Sequence, residues 1–143
     1  MEFPSDVEKV LKRSGWREGR RVQIGGWRDF YANRGIHMHP AAQSFLSEFG
    51  GLRVPVRGPG VTAARVPFEL NPLLVDGDED RFPEWSEEAD VLLYPVGQIE
   101  ERYPLGIDES SRLYIVSDWL ARFRPMPEAM EDLILGFEAE NIY

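Results

Sequence analysis

The chain has 143 residues, no cysteine and a formal net charge of −9. That length fits one domain able to bury an ordinary core, and the lack of cysteine excludes disulfides and thiolate zinc sites. The negative charge argues against nucleic acid as a partner, because phosphate binding needs a basic surface, and leaves a basic protein partner or plain solubility. Hydrophobic residues make up 43% of the chain and aromatics 12%, which predicts a packed domain over a disordered one. No apolar run reaches the roughly 18 residues of a membrane span. The opening MEFPSDVEKV lacks the basic-then-apolar order of a secretory signal, so a reducing cytoplasm is the expected setting. Charge is unevenly spread. Residues 1–57 carry ten basic and six acidic side chains, whereas residues 76–90 carry eight acidic and one basic.

In chain order, Ser5 and Glu8 have capping-box spacing and predict a helix whose apolar stripe is Val7, Val10 and Leu11, ended by Gly15. Val22–Ile24 reads as a short strand. Trp27–Arg34 reads as a short helix with Trp27, Phe30 and Tyr31 on one side. Pro40–Phe49 starts with a proline suited to the first helical turn, and Ala41, Ala42, Phe45, Leu46 and Phe49 form its inward face. Leu52–Val56 and Ala64–Leu70 alternate like strands, and Pro55 places the first at an edge or bulge. Arg57–Thr62 between them is a loop. Leu73–Val75 is a short apolar turn or helix. Asp76–Asp90 is acidic, with Phe82, Trp85 and Ala89 spaced for one helix face. Val91–Val96 is a buried strand, followed by a turn at Gly97-Gln98.

The fold is organised around Leu105–Phe123 (LGIDESSRLYIVSDWLARF). Leu105–Ile107 and Arg112–Ser117 are predicted to pair across a turn at Asp108–Ser111, where Asp and Ser side chains satisfy backbone donors. Leu113 and Ile115 lie on one side of the second strand and Tyr114 and Val116 on the other. Both faces are apolar, so both must be covered. Asp118 is placed to cap a helical turn over Trp119–Phe123. A last helix follows Pro125-Met126-Pro127, with Met130, Leu133, Ile134 and Phe137 as its stripe and Gly136 near its end. The predicted class is α+β: a mostly antiparallel sheet of about five or six strands, with N-terminal helices and a C-terminal helix packed against it, the helices on one side.

Candidate chemistry is sparse. His37 and His39 are the only histidines, and no third ligand near them completes a metal site. Gly25-Gly26 and Gly58-Pro59-Gly60 lack the strand–glycine–helix context of a nucleotide site, so they read as turns. Asp80 with Glu84, and Asp108 with Glu109, are the carboxylate pairs open to acid/base work, but the first lies in a charge run and the second in a hairpin turn. No GxSxG elbow occurs. Asp76, Asp78 and Asp80 fall at positions one, three and five of a calcium loop and Glu87 at twelve, but Arg81 stands where that loop needs glycine. No cofactor, metal or catalytic residue is therefore assigned. The acidic stretch is the strongest candidate for function. Asp76, Asp78, Glu79, Asp80, Glu84, Glu87 and Glu88, interleaved with Phe82 and Trp85, are predicted to meet a basic protein.

Several segments together carry a resemblance. GWREGR at Gly15–Arg20, AAQSFLSEFGGL at Ala41–Leu52, DRFPEWSE at Asp80–Glu87, LYPVG at Leu93–Gly97 and the stretch Leu105–Phe123 resemble the third subfamily of the SUKH superfamily of bacterial immunity proteins. The likeness runs in order from about Val7 to Phe137. It implies a single α+β domain, spanning residues 1–143, that binds and neutralises a cognate toxin domain in the cytoplasm without catalysis. The toxins countered by this superfamily are commonly nucleases or nucleic-acid deaminases. With the charge and the lack of a membrane span, no membrane or nucleic-acid partner is expected, and the chain is expected to be a monomer or weak homodimer. The alternative implied by the superfamily is a general regulatory adaptor that binds several host proteins.

Overall fold

The computed structural model describes all residues, Met1–Tyr143. Five helices are formed: α1 (Ser5–Arg13), α2 (Gly25–Ala32), α3 (Pro40–Phe49), α4 (Arg81–Ala89) and α5 (Glu128–Leu135). Seven strands, β1 (Arg53–Val54), β2 (Phe68–Glu69), β3 (Tyr94–Ile99), β4 (Tyr103–Ile107), β5 (Arg112–Val116), β6 (Leu120–Pro125) and β7 (Glu140–Asn141), make one sheet in sequence order. Every neighbouring pair is antiparallel, so the sheet is a meander. The class is α+β, as the order of elements predicted. The edge strands β1 and β7 have two residues each, which leaves little open edge for unwanted pairing.

The β4–β5 hairpin forms in the predicted register, with Leu105 opposite Ile115, Gly106 opposite Tyr114 and Ile107 opposite Leu113. Its turn is tied by one carboxylate. Asp108 accepts from the amides of Ser110 (2.8 Å) and Arg112 (3.0 Å) and from the Tyr114 hydroxyl (2.8 Å). Alternation then assigns the two faces. Ile115, Ala121 and Phe123 point to the side where Leu133 of α5 lies. Gly106 and Val116 point to the other, where the Phe82 ring of α4 sits so close that a Cβ on Gly106 would meet it at 2.7 Å. Helices thus cover both faces, as the two-sided apolarity of β5 required. The order of elements alone suggested one side, because it does not show that α4 crosses to the opposite face.

Several local readings change. The capping box at Ser5 and Glu8 does not form. Ser5 lies inside α1, and the Val7 amide is held by Asp6 at 2.9 Å. Val22–Ile24 is not a strand; its Val22 amide bonds the Ser47 carbonyl instead. The strand expected over Ala64–Leu70 shrinks to β2, and the strand expected over Val91–Val96 slides to β3, so Gly97-Gln98 is not a turn. Gly97 passes directly over the β2 backbone; a Cβ there would stand 2.9 Å from the Leu70 Cα. The true turn is Glu100-Glu101, both at positive φ, 60° and 56°. Asp118 caps nothing, because Trp119–Phe123 is not helical. Leu120, Ala121 and Arg122 pair with Val116, Ile115 and Tyr114 to form β6. Sheet hydrogen bonds and burial of Leu120 outweigh the local signal there.

The loop after Arg57 has a structural task. The amides of Val61, Thr62 and Ala63 bond the carbonyls of Leu135 and Gly136, which staples it to the end of α5. Gly60 and Gly136 face each other so closely that a Cβ on Gly60 would lie 2.7 Å from the Gly136 Cα. Gly136 itself ends α5 with φ at 79°, the left-handed exit that glycine permits.

A candidate partner-binding surface

The acidic stretch is built by a 3-10 turn and a helix. The Asn71 side chain accepts from the Leu73 amide (3.0 Å) and opens a 3-10 turn over Pro72–Val75. α4 then buries Phe82 completely and half-buries Trp85, whose indole donates to the Ser117 carbonyl at 2.8 Å. With Phe82, Trp85 and Ala89 turned inward, helical periodicity puts Asp80, Glu84, Glu87 and Glu88 on the opposite side. All four are exposed, and none makes an ion pair.

The other three predicted acids are partly neutralised. Glu79 pairs with Arg34 at 3.3 Å and accepts from the Gly77 amide at 2.6 Å. Asp76 sits at 4.0 Å from the same guanidinium, and Asp78 at 3.9 Å from Arg81. Arg34, in the turn just after α2, also lies over the Phe30 ring at 3.6 Å, so the cation comes from the end of the second helix. Arg81 reaches the Asp118 carboxylate at 2.5 Å. The position that breaks the calcium pattern is therefore an ion-pairing arginine, and no three His, Asp or Glu side chains converge into a metal-binding group.

The remaining candidates have structural partners. His39 caps α3. Its Nδ1 accepts from the Ala42 amide (3.2 Å), which leaves the hydrogen on Nε2 facing the carbonyls of Leu92 (3.0 Å) and Ile107 (3.1 Å). Gly25-Gly26 begins α2. Asp108 is committed to its three donors, and Glu109 accepts from the Leu92 amide at 2.7 Å. The resolved upward shifts on acidic groups belong to buried phenols. Burial, first, and then the Asp108 carboxylate push Tyr114 up to about 12. Burial pushes Tyr94 up to about 12, its hydroxyl having no hydrogen-bond partner. Tyr31, which donates to the Pro72 carbonyl, is raised further, again mainly by burial.

A second feature escaped the sequence reading. An apolar cleft of about 340 Å³ opens between β4–β6 and the stapled loop, walled by Tyr103, Ile115, Trp119, Phe123, Leu133 and Phe137. Tyr103 and Trp119 meet edge to face at 5.0 Å. The signal in the chain is the alternation Trp119, Ala121, Phe123, which suits one face of a strand where the local pattern predicts a helical turn. Tyr103 and Trp119 also border a smaller recess lined by Asp78, Arg81, Arg102 and Asp118, which joins the cleft to the first turn of α4.

Compared with known proteins, residues 3–136 match the family described as SUKH-3 immunity protein. The chain belongs to the SUKH-3 immunity protein family. No curated protein and no solved structure matches it. For this SUKH-3 chain the family identifies toxin immunity as the kind of work it does, and a cognate toxin as its partner. No helix is long and apolar enough to cross a membrane.

Proposed function

We propose that this SUKH-3 protein neutralises its toxin by binding alone, breaking and making no covalent bond, through the acidic face of α4. Asp80, Glu84, Glu87 and Glu88 form the centre, with Asp76, Asp78 and Glu79 beside them already shared with Arg34 and Arg81. The partner is a basic toxin domain, a nuclease or nucleic-acid deaminase in the cytoplasm, whose cationic substrate groove the carboxylates fill. The immunity protein acts as a monomer or weak homodimer. The observation that carries the reading is the stripe of four exposed carboxylates without ion pairs on a helix locked down by Phe82 and Trp85. Such a patch costs little reorganisation on binding and steers a cationic partner from a distance.

The test is charge reversal at Glu84→Lys, Glu87→Lys and Glu88→Lys in one chain. The association rate with the toxin domain encoded beside the gene falls by about ten-fold or more at low salt, and its salt dependence flattens. An unchanged rate and salt slope in a folded triple variant would exclude the acidic face.

A further inference from the structure

We propose that the apolar cleft between β4–β6 and the Gly60–Gly136 staple is a socket for one apolar side chain of the toxin, flanked in the toxin by Lys or Arg. The proposal rests on the toxin-binding reading above and adds the recognition element that charge alone lacks.

Four observations point there. The cleft is large enough for an anchor side chain, at about 340 Å³, and its walls are of the aromatic type that concentrates binding energy at interfaces. Its rim is organised before binding, because Tyr103 and Trp119 already hold each other edge to face and the loop wall is stapled to α5.

Charge selects the occupant. Glu100, Asp132 and Glu138 are the charged residues lining the cleft; Arg102 and Arg124 lie outside the lining, with their guanidinium groups over the Tyr103 ring at 5.0 Å and the Phe137 ring at 5.4 Å. Asp132 is satisfied by Arg124 at 2.6 Å. Glu100 and Glu138 are exposed and make no ion pair. Glu100 is moreover held at a φ of 60° in the three-residue connection between β3 and β4, a position where Asn or Gly costs less. Two free carboxylates at the mouth of an apolar hole suit an apolar residue with cationic neighbours.

The fourth observation is continuity. Tyr103 and Trp119 border both the cleft and the recess of Asp78, Arg81, Arg102 and Asp118 at one end of the sheet, so a partner seated in the cleft reaches the first turn of α4 around that end. A second copy seated cleft to cleft would bring Glu100 and Glu138 against the same carboxylates of its partner.

The socket is tested first with blocked tripeptides on the isotope-labelled full chain by NMR. Acetyl-Lys-Phe-Lys-amide shifts the amides of Ile115 and Ala121 and the Trp119 indole at millimolar concentration. Acetyl-Lys-Ala-Lys-amide and acetyl-Glu-Phe-Glu-amide bind at least several-fold more weakly. Equal shifts from the alanine peptide, or none from the phenylalanine peptide, would overturn the socket. The second arm measures affinity for the adjacent toxin domain. Trp119→Ala, and independently Ala64→Phe, which fills the cleft from an exposed position, each weaken binding at least a hundred-fold, mostly through faster dissociation. Glu100→Gln with Glu138→Gln slows association and flattens its salt dependence. If the unaltered chain does not bind the toxin, the toxin-binding reading fails. If it binds and both cleft variants bind equally well, only the socket fails. If the chain sediments as a dimer that Trp119→Ala dissolves, a second copy occupies the cleft and the proposal is wrong.

Discussion

Asp108 is the most informative single residue to remove. It is 3% exposed and ties the turn on which the central hairpin depends. Asp108→Ala deletes the acceptor for the Ser110 and Arg112 amides, at about 1 kcal/mol each. It also strands the buried Tyr114 hydroxyl, which adds about 1–3 kcal/mol. The sum is about 3–5 kcal/mol, or a fall in Tm of the order of 10 °C for a chain this size. Tyr114→Phe removes the stranded hydroxyl as well, so in the double variant about 1–2 kcal/mol of the loss returns. The four proteins of the cycle are compared by urea unfolding with a common m value. A cost below about 1 kcal/mol for Asp108→Ala, or strictly additive losses in the cycle, would refute the claim that this carboxylate holds the hairpin.

Three further outcomes follow from the same coordinates. Tyr94 and Tyr114 stay protonated in the folded state up to about 12, above the free phenol near 10. Their contribution is complete below the unfolded value and lost as pH rises through the folded one, so stability declines between those limits, and absorbance at 295 nm shows these phenols ionising only as the chain unfolds. Gly136→Ala puts a Cβ 2.5 Å from the Ala63 carbonyl at a left-handed φ of 79°; it destabilises by about 2 kcal/mol or more in thermal melts, whereas Gly26→Ala, with open space around it, does not. Replacing the Glu100-Glu101 turn by Asn-Gly stabilises the domain by about 1 kcal/mol while slowing toxin association, a trade visible in paired melting and binding measurements.

The α4 helix shows what a sequence settles by itself. Phe82, Trp85 and Ala89 declare an inward face, and Asp80, Glu84, Glu87 and Glu88 therefore an outward one, because helical periodicity is a local property of the chain. The Asp108–Ser111 turn was legible for the same reason: its side-chain acceptor lies within a few residues of the donors it serves. What lay beyond local reach was which acids remain free. Arg34 claims Glu79 from 45 residues away, and Arg81 claims Asp118 from 37, and no spacing rule announces such pairs. The same limit turned Trp119–Phe123 from an expected helix into β6. Hydrogen bonds from β5 and β7 and the burial of Leu120 act only once distant strands have met. The cleft is the furthest case. Its walls come from segments around residues 63, 103, 119 and 137, so its shape exists only in the folded molecule, while the composition of each wall was written in the chain.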